Sequence, residues 1–333
     1  MLDDLSNKFL SRSPWGGVLK RALTLHEQQN ARVGGELDHG SWVVDASEFS
    51  VSRLREMSHN FQRPVVVRGL FADVPAVKRW SPEFFAEQAG DTVVQVVDQQ
   101  SDTVHDMRLR DFLEGHDGLY LKFWPELFRA HPQFVDDLAF DRVFPEWIGG
   151  PGSRFNPFTA EFFMGRGVDA ERGIAGTPLH CAPHANLFVE IYGRKTWTLI
   201  DPKHTLLLRP VLQETYGVSA LTPSQLAERE LPRYSVTLEP GDALFNPPWF
   251  WHQVQNDGFC IGIASRDVMV RANFRQNAVF STLRPWFTVL AGLNRFTGWF
   301  SAKKPPEKYA EQDRHAHGHD SVVNRRMRAL RPD

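Results

Sequence analysis

The segment "TPLHCAPHAN" at 177–186 sets His180 two residues before Ala182 and four before His184. Residues two apart in a β-strand share a face, so His180 and position 182 point the same way, as the members of an H-x-D pair must to grip one ion. A second histidine, His252, lies in "EPGDALFNPPWFWHQVQN". That phrase reads as a tight turn at Pro240-Gly241, a strand, a Pro-Pro bend and a second strand that carries the histidine. Two histidines from different strands plus one carboxylate form the facial arrangement of non-haem Fe(II), with the remaining positions open for substrate and O2. Here alanine stands at the carboxylate position. Taken singly, a strand histidine is more often a satisfied core residue than a ligand, so spacing alone leaves both readings open.

Residues 1–40 read as a helical lead-in, with "LKRALTLHEQQNARV" the best helical segment and Gly34-Gly35 its stop. "RPVVVRGL" at 63–70 reads as a buried strand. "SPEFFAEQAG" at 81–90 reads as a short helix capped by Ser81, with Pro82 in the first turn and Gly90 as the stop. "DTVVQVVDQ" then reads as a strand. From about 118 short strands dominate: "LYLKFW", "EFFMG", "TPLHCA", "NLFVEIYG", "KTWTLID", "YSVTLE", "DALFNP", "WHQVQN" and "FCIGIAS". Closely spaced turn residues between them predict a sandwich or barrel. Residues 203–230, with "TPSQLAERE", predict a helical insertion.

From 271 the pattern changes to helix, where Val279, Leu283, Trp286, Leu290, Leu293, Phe296 and Phe300 form an apolar seam. Pro285 and Gly292 divide it, and it packs either on the barrel or, as a homodimer interface through 279–300, on a second subunit. The tail from 303 is polar, and His315, His317 and His319 within it read as a solvated run rather than a metal site. The predicted organisation is a lead-in over 1–45, a catalytic core over 46–270, and C-terminal helices with a polar tail over 271–333.

The chain has 333 residues, with Lys+Arg 38 against Asp+Glu 40, a balance that argues against nucleic acid or an anionic membrane as partner. Two cysteines, Cys181 and Cys260, make no disulfide framework, which makes a reducing cytoplasm the simpler expectation. The early acids of "MLDDLSNKFLSRSPWGG" argue against a secretory signal, and no stretch reaches the roughly 20 apolar residues of a spanning helix. Phe 25 and Trp 10 suit an apolar-walled interior and equally a plain core.

Read together, "RPVVVRGL", "KRWSPEFFAEQAGD", "LYLKFWPE", "TPLHCAPHANLFVEIYGRKTWTLIDP" and "EPGDALFNPPWFWHQV" resemble, in that order, the JmjC-like cupin (cupin-8) family of Fe(II)/2-oxoglutarate-dependent oxygenases. That family includes the asparaginyl hydroxylase acting on hypoxia-inducible factor. The resemblance runs from about 45 to 270 and implies a mainly β fold with flanking helices, built on a double-stranded β-helix. It also implies that His180 and His252 are metal ligands, and that Thr177, Asn186 and Lys195 hold 2-oxoglutarate. The chemistry agrees: an ammonium pairs with a distal carboxylate, while a hydroxyl and an amide supply directed hydrogen bonds. Ala182 departs from the family's Asp. His184 near the mouth of the site, Asn246 in "LFNPP", and Ser265 and Arg266 in "GIASRD" are candidates for substrate contact or for support of the ligands.

Three readings of the missing acid follow. In other Fe(II)/2-oxoglutarate families an alanine or glycine at this position leaves room for chloride or bromide, which makes the enzyme a halogenase. That reading is the favoured one, because Thr177, Asn186, Lys195, His180 and His252 are all retained. Alternatively the protein is a hydroxylase whose third ligand is His184 or water. The third reading is an inactive binding protein descended from an enzyme. The resemblance implies a peptide substrate, and an amino-acid-like small molecule remains open beside it.

Overall fold

A computed structural model describes residues 42–98, 103–115, 118–122, 126–138, 160–166, 176–212, 217–219, 225–226, 231–267 and 270–282, with isolated positions at 21, 24 and 221. The predicted lead-in before residue 42, the seam residues from Leu283 onward and the histidines of the tail lie outside the described residues, apart from those isolated positions.

The strands are β1 (Val43–Asp45), β2 (Val65–Arg68), β3 (Val93–Asp98), β4 (Thr103–Arg108), β5 (Leu119–Lys122), β6 (Ala160–Arg166) and β7 (Gly176–Cys181), then β8 (Ala185–Ile200), β9 (Pro210–Leu212), β10 (Gly217–Ser219), β11 (Tyr234–Leu238), β12 (Ala243–Asn246) and β13 (Trp251–Asp267). Helices α1 (Val51–Met57), α2 (Pro75–Arg79), α3 (Pro82–Ala89), α4 (Leu109–Leu113), α5 (Glu126–Ala130) and α6 (Gln133–Asp137) precede β6, and α7 (Val270–Gln276) follows β13. The predicted cap of α3 is present: the Ser81 hydroxyl accepts from the Phe84 amide at 3.1 Å, and Pro82 opens the helix.

Strands β8 and β13 organise the molecule. Their first and second halves pair crosswise, Trp251 with Ile200 at one end and Asp267 with Ala185 at the other. The early half of β8 and late half of β13 lie in a larger sheet with β1, β2, β12, β6, β5, β3 and β4, while their other halves lie in a smaller sheet with β11, β7, β10 and β9. The molecule is thus a mainly β sandwich with flanking helices.

Three apolar layers hold it. Between the sheets lie Phe163, Phe188, Trp197, Leu199, Val236 and Leu244. The outer face of the larger sheet buries Val189, Ile191, Phe245, Ile261 and Ile263 against the helices. There Trp80 packs edge-on to Phe85, Phe134 and Phe162, and its indole N–H donates to Asp137 at 2.9 Å. The outer face of the smaller sheet buries Leu179, Cys181, Trp249 and Trp251 with Val279 and Phe280, so the described start of the C-terminal seam packs on the sandwich.

Two expectations are corrected. "NLFVEIYG" and "KTWTLID" are one sixteen-residue strand, and "WHQVQN" and "FCIGIAS" are one of seventeen. Gly193 (φ +79) and Gly258 (φ +75) bend these strands and do not end them, because the ladder shifts register around them and resumes. Of the predicted helical insertion over 203–230, the described residues hold a 3-10 helix, Pro202–Leu208, the strands β9 and β10, and helical backbone at Gln225 and Leu226, while the rest of "TPSQLAERE" lies outside the described residues. Among the described residues no helix is long and apolar enough to cross a membrane.

Candidate metal and keto-acid site

His180 on β7 and His252 on β13 are direct cross-strand partners. Their ring centroids stand 4.1 Å apart, on the face that looks between the sheets. The His180 Nδ1 lies 2.8 Å from the Pro178 carbonyl, and the His252 Nδ1 lies 2.9 Å from the Phe250 carbonyl. A carbonyl oxygen only accepts, so each Nδ1 carries the proton and each lone pair falls on Nε2. An orienting bond on one ring nitrogen with the lone pair on the other is what a metal-binding imidazole needs.

Asn246 on β12 adds a second support. Its Nδ2 stands 3.1 Å from the His252 Nδ1, while its Oδ1 is buried with no partner among the described residues. Two donors do not pair, so the amide belongs turned, with its oxygen accepting from the ring. Trp197 stacks on His252 at 5.5 Å and 23°. Burial, reinforced by His180 and Arg266, holds the His252 pKa well below its ordinary value and keeps the ring neutral.

The keto-acid candidates reach the same interior by an irregular route. Thr177 is three residues from His180, which in a regular strand would place them on opposite faces. The β7 register shifts between them, pairing His180 with His252 and Thr177 with Val254, and both then face inward. Lys195 is likewise an odd number of residues from Asn186, Phe188 and Glu190. The irregularity at Gly193 reverses the alternation, so Phe188 before it and Trp197 after it share the inner layer. A side chain at 193 would meet the Phe259 carbonyl at 2.3 Å, which reserves the bend for glycine.

The result is a set of buried polar atoms without hydrogen-bond partners among the described residues: Thr177 Oγ1, Asn186 Oδ1 and Lys195 Nζ. Lys195 is only 1% exposed and lies 5.7 Å over the Phe188 ring. Tyr120 and Glu190 act on the ammonium from nearby, but a buried ammonium and two buried hydrogen-bonding groups with bonds left unfilled are costly unless a ligand satisfies them. A dicarboxylic keto acid fits this donor set.

Ala182 follows β7 half-buried, and its carbonyl accepts from the Trp249 amide at 2.6 Å, which ties the loop to the Pro-Pro bend. Among the described residues no three His, Cys, Asp or Glu side chains are grouped to hold an ion. Arg266 is paired in register with Asn186, faces the interior, and makes an ion pair with Glu161 of β6 at 2.7 Å. Ser265, expected near the metal, is on the opposite face: it pairs with Leu187 in the layer of Ile261 and Ile263, as strand alternation requires next to an inward Arg266. Cys181 also points away, into the outer layer.

Four inward polar residues escaped the sequence reading: Tyr120, Glu161, Glu190 and Asn256. Glu190 left the clearest signal, as a charge in the middle of the apolar strand "NLFVEIYG".

Residues 125–279 match the family described as the cupin-like domain. The matched segment contains the paired histidines and all three keto-acid candidates. The chain is 27% identical over 216 residues to lysine-specific demethylase 8 of Xenopus tropicalis, covering 58% of this chain and 45% of that protein. It is 33% identical over 99 residues to Jumonji C domain-containing protein 5 of Drosophila melanogaster, covering 27% and 25%. To human HSPB1-associated protein 1 it is 32% identical over 92 residues, covering 25% and 19%. The chain thus spans less than half the length of these curated relatives. Of the site residues, all but Tyr120 lie inside the cupin domain's matched range.

Proposed function

We propose that the cupin domain is an Fe(II)/2-oxoglutarate-dependent oxidoreductase, and that a chloride or bromide completes its metal centre beside Ala182. The observation that carries this reading is the joint orientation of two histidines, with Nδ1 tied back to carbonyls, toward an interior where Thr177, Asn186 and Lys195 wait unsatisfied. JmjC-like relatives, among them one named as a lysine-specific demethylase, support the oxygenase class. Iron bound with 2-oxoglutarate and O2 would supply the oxidising power for replacing a C–H bond.

The chain's own residues have defined tasks. His180 and His252 present Nε2 lone pairs, and the Pro178 and Phe250 carbonyls with Asn246 hold the rings in place. Lys195 pairs with the distal carboxylate of the keto acid, while Thr177 and Asn186 offer it hydrogen bonds. Phe188, Trp197 and Phe163 keep water from this end of the interior. Ala182 brings a methyl where a carboxylate would bring both bulk and a negative charge, and the Arg266 guanidinium on the inner face favours an anion in its stead. The substrate proposed is a peptide or an amino-acid-like molecule.

Coupled turnover is the test. With Fe(II), O2, 2-oxoglutarate and a library of peptides and amino acids, succinate should form, and products should gain a halogen in place of hydrogen when chloride or bromide is supplied. Ala182→Asp should abolish halide incorporation. Oxygen insertion indifferent to halide would instead make the protein a hydroxylase, and failure to bind 2-oxoglutarate would make it a binding protein.

A further inference from the structure

Lys195 does not face the co-substrate end of the interior alone. Glu190, on the same strand before the Gly193 bend, is fully buried, and neither of its carboxyl oxygens has a hydrogen-bond partner among the described residues. The bend turns both side chains into the space between the sheets, where Lys195 supplies the attractive charge acting on Glu190. Tyr120 of β5 and Cys260 of β13 face the same pair, and Asp242 and Glu239 approach from the turn before β12. Asp242 is committed elsewhere: it takes Arg68 at 2.5 Å and the amides of Gly69 and Glu239 at 2.9 Å. The Cys260 thiol, pushed up to about 11 chiefly by burial, stays neutral.

Without ligand, one buried ammonium faces one buried carboxyl. A keto acid whose distal carboxylate takes Lys195 brings a second carboxylate to the same cation, in a medium where like charges repel strongly. Carboxyls sharing a buried site resolve this by keeping a proton. The unpartnered oxygens of Glu190 have room in their bonding for it.

We propose that the keto acid and Glu190 compete for the single ammonium of Lys195, so that the anion enters together with one proton from solvent, which forms an O–H bond on the Glu190 carboxyl. This rests on the keto-acid reading of the site and adds a mode of regulation to it: affinity for the dianion falls as pH rises. Burial, opposed by Lys195, already places Glu190 at about 8 in the free protein. Well below that value the proton is in place before binding, and well above it the proton must be taken up.

The experiment is titration calorimetry of full-length Mn(II)-loaded protein with 2-oxoglutarate under argon, in buffers of different ionisation enthalpy. At about pH 9 the dependence of heat on buffer should report an uptake approaching one proton per ligand, and at about pH 6 close to none. Glu190→Gln keeps the shape without the charge; it should remove most of the uptake at about pH 9 and tighten binding there by roughly tenfold or more. Infrared difference spectra of the parent protein should show a protonated carboxyl band appearing on binding at the higher pH, a readout that needs no variant. Binding without proton uptake, or the same uptake in Glu190→Gln, overturns the proposal and leaves the keto-acid reading standing. No binding at either pH overturns both.

Discussion

Asn246 bears on the candidate site through the ring of His252 and not as a candidate ligand itself. It stands 3.1 Å from the His252 Nδ1, opposite the Phe250 carbonyl at 2.9 Å, and so helps fix which nitrogen holds the proton and where the ring points. Losing such a partner typically lowers metal affinity about 10–100-fold. Asn246→Ala is expected to weaken Fe(II) or Co(II) binding by that factor in equilibrium dialysis, with the circular dichroism spectrum unchanged. Unaltered affinity would mean the amide is only filling space. At this scale the sequence was informative wherever a residue type is unusual for its place: a polar Asn in "ALFN", a histidine after "PWFW". It was silent about Ser265 against Arg266, because adjacent strand residues differ only in parity, and parity depends on distant bulges. The inward placement of Tyr120 and Glu161 was hidden for the same reason, each being one step from residues of the outer layer.

Those bulges belong to the elements, and Gly193 is the one the site depends on. Its φ of +79 and the 2.3 Å approach of the Phe259 carbonyl leave no place for a side chain. The bend also turns Lys195 inward together with Glu190, five residues before it. Left-handed backbone forced on a residue with a Cβ costs about 1–3 kcal/mol before any clash. Gly193→Ala is therefore expected to destabilise the protein by about 2 kcal/mol or more in urea unfolding, and to impair keto-acid binding beyond what the stability loss explains, because Lys195 loses its aim. Gly258→Ala offers the contrast: φ is +75, but nothing lies within 4 Å of the added carbon, so only the backbone cost applies. Strand positions were legible from β-branched and aromatic runs between turn residues, and the α3 cap from Ser81-Pro82. The continuity of β8 and β13 was not, since a glycine that bends a strand and one that ends it look alike in one sequence. The strands β9 and β10, of three residues each, are too short to show an alternation.

For the whole molecule, the inner layer keeps acids as well as aromatics. Burial raises Glu190 to about 8, with Lys195 pulling the other way, and raises Glu161 to about 7 against the pull of Arg266. Both values lie above the ordinary 4.5, which sets the sign. Between about 4.5 and these raised values the unfolded chain holds fewer protons at these groups than the folded one, so their contribution to stability falls as pH rises and is level above about 8. Each unit of separation is worth about 1.4 kcal/mol, so even a partial effect is sizeable against a typical total of about 5–15 kcal/mol. The ligand-free protein is therefore expected to have a lower urea midpoint at about pH 8.5 than at about pH 6. Glu190→Gln and Glu161→Gln, which cannot ionise, should flatten the difference, and combining them should flatten it further. A keto acid bound at Lys195 adds a cost of the same sign, since it keeps the Glu190 proton in place at alkaline pH. Saturating 2-oxoglutarate with Mn(II) should then stabilise the parent less at about pH 8.5 than at about pH 6, while Glu190→Gln gains nearly equally at both. If the parent's midpoint is as high at the alkaline pH, the interior is taking water to its acids, and the dry chamber on which the proposed halide and keto-acid chemistry relies is not there.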